Sequence, residues 1–424
     1  MYPLTVELAE FLLSERAERE LVKLADADLS DVLGLLTWLR RRYSQAEAAA
    51  LLDQAVLRRR AASKFPQCER MWFDDEALEQ ASSRAVAAYR AGLLAAHGVH
   101  TVADLGCGIG ADTIAMAEVG LRVMAVEQDP VRARLAGANV AAAGLSERVQ
   151  VLCADWTRLA FAGPLAVDVA FVDPARRKVD GARRVRGVTQ RRRSGRSDWR
   201  RVSSLHEMEP PLAAVQMLRL QILDILVKVA PGVDMGKVPS EAAITFIAEG
   251  IRLREAMLAF GVLRPGSGQE SQSASPRQAV VLPGPHALRG GVTSRAPDLR
   301  PPQAILYEPN PAVRRAGLVR ELGARLDAGQ LDPDIAYLTG EEMVPTPFAR
   351  AWPVERHDPF NLKTLNRWLR ELGAGHVIVK KRGSPVDPDA FRRRLKVIRG
   401  GPEKTVFLTQ LEDRPWMVLG GAER

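Results

Sequence analysis

Cysteine is scarce in this chain. Cys68, Cys107 and Cys153 are the only three in 424 residues, and no CxxC pair occurs. That scatter argues against a disulfide framework and against a zinc site, and it suits a reducing cytoplasm. Long apolar runs are missing as well. No stretch reads as a transmembrane helix, and the opening MYPLTVELAEFLLSERAERE carries acids early, unlike a secretion signal. The expected location is therefore cytoplasmic. No internal repeat is found. The pattern GxGxxG, which lets a helix N-terminus face a pyrophosphate, is absent too.

What the chain does have is a globular composition, 46% hydrophobic, and enough length for two or three domains. Its net charge is +9, and the placement of that charge is uneven. Arg176 to Arg201 holds twelve basic residues against two Asp, a net +10. Phe360 to Arg399 holds eleven against three acids, a net +8, so the remainder carries −9. An acidic body with two basic segments points to a polyanion more than a uniformly basic chain does. The competing reading is that both segments are solvated surface.

Three regions follow from the patterning. Residues 1–96 place apolar side chains at three- and four-residue spacing and read as helical, with Ser44 and Glu47 spaced as a capping box. Residues 97–300 alternate short apolar runs with helical stretches, which predicts a doubly wound parallel sheet. Late strands without helices between them add an antiparallel edge. After the punctuated LPGPHALRGGVTSRAPDLRPPQ, residues 305–424 read as a small α/β domain.

The strongest motif is VADLGCGIGADT. A strand ends at Asp104, and Gly106, Gly108 and Gly110 follow before a helix, where glycine lets the backbone turn sharply and approach a ligand. The next strand ends at Glu127, seventeen positions after Gly110, placed to accept two ribose hydroxyls. The third ends at Asp155, placed for the exocyclic amine of a purine. An acid ahead of GxGxG suits a cationic ligand without phosphate, and S-adenosyl-L-methionine (SAM) has that chemistry. The stretch Val102 to Pro174 resembles the Rossmann-like core of class I SAM-dependent methyltransferases. The resemblance implies that Gly106, Gly108 and Gly110 line the methionine part, Glu127 the ribose and Asp155 the adenine. Trp156 either covers the adenine or packs in the core.

The fourth strand ends FVDPARR. Amine-methylating members of the superfamily carry Asp or Asn, two prolines and an aromatic there. Asp173 and the Pro174 carbonyl then accept the protons of an exocyclic amine and hold its nitrogen in line with the methyl group. Here Ala175 replaces the second proline and Arg176 the aromatic, so the stacking platform must come from elsewhere, with Phe65, Trp72 and Phe73 as candidates, or the acceptor is not a base. Asp173, Pro174 and Arg176 are the expected catalytic positions. An ordinary strand-ending turn is the alternative. Residues after Asp173 rim the carboxyl ends of the strands, so Arg176 to Arg201 is placed to hold a phosphate backbone, and Trp199 to stack on a base or anchor the loop.

Residues from Ile305 to Gly420 resemble the THUMP-like domain through LYEPNPAVRRAGLV, LDPDIAYLTG, VPTPFARAW and VKKRGSPVDPDAFRRRL. This domain is fused to class I methyltransferase cores in bacterial, especially actinobacterial, proteins. True THUMP domains bind structured RNA. Lys380, Lys381 and Arg382, with Arg392, Arg393, Arg394 and Lys396 on a following helix, fit that analogy. The expectation is methylation of a base nitrogen in RNA, tRNA or rRNA, with no metal and no membrane. A non-catalytic RNA-binding or assembly protein, and a methyltransferase of a small molecule or protein, remain open.

Overall fold

Ser44 starts its helix by a reciprocal cap. The Glu47 amide donates to Ser44 Oγ, and the Ser44 amide donates to the Glu47 carboxylate at 2.8 Å. The structure, a computed structural model, describes residues 3–174, 205, 208–264, 276–290 and 298–424. These fall into two compact units. One is drawn from Met1–Ala242 and Ala256–Ser267, the other from Ala243–Glu255 and Gly268–Arg424.

The first unit begins with helices α1 (Val6–Leu12), α2 (Glu15–Ala25), α3 (Val32–Leu39) and α4 (Gln45–Ala61). The apolar run after Phe73 reads as one long helix in the sequence, but it is two: α5 (Asp75–Gln80) and α6 (Arg84–Ala96). The ammonium of Lys64 causes the break locally. It donates to the carbonyls of Leu78, Glu79 and Ala81, replacing the helical donors those oxygens would otherwise need.

Strands β1 (Thr101–Leu105), β2 (Arg122–Glu127), β3 (Val149–Cys153), β4 (Val169–Val172) and β5 (Asp224–Val229) pair in parallel in the order β3-β2-β1-β4-β5. Helices α7 (Ala111–Glu118), α8 (Pro130–Ala142) and α9 (Leu212–Leu218) connect them. The central strands are buried on both faces, which is why VADL and VAFV read as unbroken apolar stretches. The strand order reverses between β1 and β4, and in such sheets ligands bind outside the carboxyl ends at that point.

Strand β6 (Ala243–Glu249) opens the second unit, and β7 (Arg252–Phe260) returns to the first, where its residues 256–260 run antiparallel to β5. The expected antiparallel edge is therefore present. In the second unit β6 pairs in parallel with β8 (Arg277–Leu282), which pairs antiparallel with β9 (His286–Gly290). There follow β10 (Ile305–Pro309), α10 (Pro311–Ala316), α11 (Val319–Leu326), β11 (Gly329–Asp332), β12 (Ile335–Gly340) and β13 (Ala349–Pro359). The chain closes with α12 (Leu362–Glu371), β14 (His376–Lys381), α13 (Pro388–Arg392), β15 (Glu403–Leu411) and β16 (Arg414–Gly420). Their strands form a seven-stranded sheet in the order β11-β12-β10-β13-β16-β15-β14.

Helix α13 is shorter than DPDAFRRRLKVI suggests. It ends at Arg392, so Arg393, Arg394 and Lys396 lie beyond it. The Asn366 side chain is the reason. It donates to the Arg394 carbonyl and accepts from the Lys396 amide at 2.7 Å, diverting the backbone from further helical bonds.

Candidate functional site

Outside the carboxyl ends of β1, β2, β3 and β4 lies an open cleft. Gly106, Gly108, Glu127, Asp155, Trp156 and Asp173 all line it. Four separate segments thus deliver the expected residues to one place. Glu209, Pro210 and Pro211 close another side, and Ala77, Gln80 and Ala81 of the helical region form a wall. Among the described lining residues five carboxylates, those of Asp112, Glu127, Asp155, Asp173 and Glu209, face a single guanidinium, Arg132. That guanidinium is already paired with Asp74 and Glu76. Burial opposes the charge on Arg132, and the two acids more than offset it, so its pKa is raised. Asp112 and Asp173 are in turn paired with Arg90 and Lys228, which leaves Glu127, Asp155 and Glu209 as the lining acids that favour a cationic ligand.

The glycine turn has the required backbone. Gly106, Gly108 and Gly110 all have positive φ, at 89°, 57° and 85°. A Cβ on Gly106 would sit 2.7 Å from the Asp173 carbonyl oxygen, whereas one on Gly108 would meet nothing within 4 Å. Gly106 is thus fixed by packing between strand ends, and Gly108 leaves open space. Gly110 caps α7 in the left-handed conformation and is not itself on the cleft surface. Glu127 accepts from the amides of Gly108 and Asp129, both at 2.9 Å, so the second strand end anchors the glycine turn as well as facing the cleft. Asp155 accepts from the Thr157 hydroxyl and amide, which hold its pKa below the ordinary value. Trp156 is 8% exposed and lines the cleft, so its packing and lining roles coexist.

Asp104 stands behind this surface. It is fully buried, and the Thr113 hydroxyl donates to its Oδ2, while Oδ1 has no partner among the described residues. Burial, then the neighbouring Asp112 carboxylate, push its pKa up to about 7. Between the ordinary value of 3.8 and about 7 the folded chain keeps a proton here that the unfolded chain has released. Stability from this group therefore falls as pH rises through that window, and above it the cost of the buried charge is complete. The expected result is that wild type loses unfolding free energy relative to Asp104→Asn between about pH 4 and about pH 7, measured by urea denaturation at each pH. Parallel pH curves for the two proteins would rule out the titration.

Two residues of the site escape sequence reading. Lys228, on β5, is 2% exposed, and its ammonium donates to Asp173 Oδ2 at 2.7 Å and to the Gln80 carbonyl at 3.2 Å. The available signal was a single charge inside the apolar ILVKVAPG, since a lysine is almost never fully buried without a partner. Arg90 on α6 pairs with Asp112 of α7 and lies 4.1 Å from the Phe171 ring centroid, fixing the base of the cleft. Asp173 Oδ1 receives no donor among the described residues. Pro174 is buried. Ala175, Arg176 and the basic run to Arg201, with Trp199, lie outside the described residues.

The proposed aromatic substitutes are elsewhere. Phe65 and Phe73 pack on each other at 5.7 Å, and Trp72 is held by Asn139 and the Leu12 carbonyl, all within the helical core. None lines the cleft, because these aromatics are consumed in joining α4 to α8. Trp156 is the one aromatic on it among the described residues. The described residues hold no group of side chains able to bind a metal. Cys68, Cys107 and Cys153 are free thiols, and burial pushes the Cys107 pKa well up. No described helix is long and apolar enough to cross a membrane.

Comparison with known proteins agrees with this geometry. Residues 102–185 match the family model of a methyltransferase domain, and 349–422 match that of a domain described as THUMP domain-like. A protein of Mycobacterium tuberculosis strain H37Rv, described as an uncharacterized S-adenosylmethionine-dependent methyltransferase, is 34% identical over 383 residues. The alignment covers 88% of this chain and 95% of that protein. The corresponding protein of strain CDC 1551 matches equally. A crystal structure of a candidate methyltransferase from Porphyromonas gingivalis W83 superposes with a TM-score of 0.74 at 20% identity, over 99% of each chain, and so shares the fold.

Proposed function

Because the chain belongs to the S-adenosylmethionine-dependent methyltransferases, we propose that its substrate is RNA and that a base nitrogen receives the methyl group. The observation that carries the reading is the Asp173 carboxylate at the end of β4, locked by Lys228 on one oxygen and facing the acidic cleft. The residues present fit the cofactor. Open space at Gly108 admits a ligand beside the backbone, and the surplus of carboxylates matches its ammonium and sulfonium. Glu127 would take the ribose and Asp155 the adenine. When bound, the cofactor supplies a methyl group on sulfonium sulfur.

Asp173 would accept a hydrogen bond from an N–H of the incoming amine through Oδ1. This would orient the nitrogen lone pair toward the methyl group that the cofactor would supply, with the carboxylate or water taking the proton released by the methylated nitrogen. Lys228 and the Gln80 carbonyl keep the carboxylate from rotating away. Positioning of this kind, with water excluded, supplies much of the rate.

Support for RNA comes from the THUMP-like match and from the two basic segments. The described cleft offers no second aromatic to replace the stacking residue missing at Arg176, and this favours a small molecule or protein as the rival substrate. Mass spectrometry of modified nucleosides in total RNA, with and without the gene, separates the two. Loss of one methylated nucleoside is the expected result, and an unchanged profile rejects RNA. Salt dependence gives a second measurement. Log affinity for single strands falls with log salt by about 0.7 per neutralised phosphate. Replacing Arg191, Arg192 and Arg193 by Ser is expected to flatten that slope by roughly two. An unchanged slope would show that this run touches no phosphate.

A further inference from the structure

Three cations from neighbouring elements meet over an aromatic floor in the second unit, and a fourth, Arg314, lies near enough to feel the charges of Arg382, Glu308 and Arg350. Arg314 lies on α10, Arg350 on β13, Lys380 on β14 and Arg382 just beyond it. Lys380 Nζ stands 4.3 Å from the Trp352 ring centroid, and the Arg350 guanidinium 5.3 Å from the same ring. Arg382 stands 5.3 Å from the Tyr337 ring. Both rings belong to the apolar core formed with Leu306 and Phe407.

The counter-charge is insufficient. Glu308 on β10 pairs with Lys380 at 2.7 Å and with Arg350, and approaches Arg382 at 3.6 Å. Glu423 adds a second contact to Arg350. Two carboxylates thus serve four cations. Arg314 makes no ion pair among the described residues, and both its Nε and that of Arg382 are buried without a partner. Burial, with Arg382 nearby, lowers the pKa of Arg314, and burial lowers that of Lys380. A set of charges assembled only to tie strands together would be balanced. This one stores repulsion that an anion would relieve.

We propose that Arg314, Arg350, Lys380 and Arg382 form a binding site for one phosphate group. On the RNA reading above, on which this part rests, the group is a phosphodiester of the substrate. Guanidinium forks match phosphate oxygens in pairs, and the aromatic floor keeps the forks oriented. The side chains of Arg350, Lys380 and Arg382 remain 31%, 16% and 24% exposed, so a ligand reaches them without unfolding the sheet. Arg393, Arg394 and Lys396, past the end of α13, are exposed and make no ring contact among the described residues.

The test uses the full chain. Calorimetry with inorganic phosphate, at ionic strength matched with chloride, compares wild type with Arg314→Gln, Arg382→Gln and Arg314→Lys. Wild type is expected to bind, each Gln variant to weaken binding about tenfold or more, and Arg314→Lys to retain most of it. Melting curves check folding, and Arg314→Gln breaks no ion pair among the described residues. No phosphate binding to wild type, or equal binding to all four proteins, overturns the site. A second arm measures affinity for total small RNA at fixed salt. A parallel loss in the Gln variants assigns the phosphate to RNA. Unchanged RNA affinity beside lost phosphate binding overturns that assignment in favour of a free phosphate or small phosphate ester. Failure of wild type to bind RNA at all rejects the RNA reading itself, while the phosphate arm still decides the site.

Discussion

Asp173→Asn is expected to lower methyl transfer by about a hundredfold or more, equivalent to about 2.7 kcal/mol of barrier, with cofactor affinity changed by less than about threefold. The substitution keeps the shape of the side chain. Its amide oxygen still accepts from Lys228, which leaves the NH2 group turned toward the acceptor. A donor would then oppose a donor where the carboxylate had offered a lone pair. Lys228→Met tests the same contact from the other side, since it frees Asp173 to rotate and removes the tie to the Gln80 carbonyl. Single-turnover transfer to total small RNA reports the rate, and calorimetry with the demethylated cofactor reports binding. Equal losses in both would make Asp173 a structural residue and would remove the main support for amine methylation.

Gly108→Trp is expected to abolish cofactor binding, a loss of at least about a hundredfold, by filling the space beside the glycine turn. Gly108 is the sharper position because an added Cβ there meets no protein atom within 4 Å. Gly106→Ala would instead press on the Asp173 carbonyl oxygen at 2.7 Å, so it would disturb β4 and the cleft together. The positive φ at residue 108 adds a backbone cost of about 1 kcal/mol, small enough for the fold to survive. Thermal melting separates the effects. A folded variant that binds the cofactor undiminished would show that the turn does not cradle it.

The glycine-turn side of the cleft was legible in the sequence because each contribution is local. A strand end, a glycine spacing and an acid at the next strand end can each be read within a few residues, and Gly106, Gly108, Glu127 and Asp155 do converge. The acceptor side was legible only in part. Asp173 was marked by its own turn, but Lys228 lies 55 positions away and meets it only through the pairing of β4 with β5. The break between α5 and α6 was hidden for the same reason, since Lys64 belongs to an earlier segment. Asn366 shortens α13 from 30 positions away. Asp104 followed the family pattern in position, while its burial behind Thr113 could not be read from a strand end alone. Phe65, Trp72 and Phe73 were eligible as stacking residues by type, and only the packing of α4 against α8 showed that they were already occupied.

The wall made by Ala77, Gln80 and Ala81 bears on how the reaction centre is inherited and cut. In the linear order, the helical segment looks like an appendage that ends before β1. In space it supplies the carbonyl that steadies Lys228 and one side of the enclosure. A fragment trimmed to begin at the first strand would keep the glycine turn and the acids, yet its lysine would lose a ligand and its ligand chamber would open to bulk water. On the proposed function, the smallest piece of this chain able to perform the transfer starts well before the region that sequence patterns mark as catalytic. Recombination or engineering that exchanges the helical segment between relatives would exchange part of the reaction centre with it.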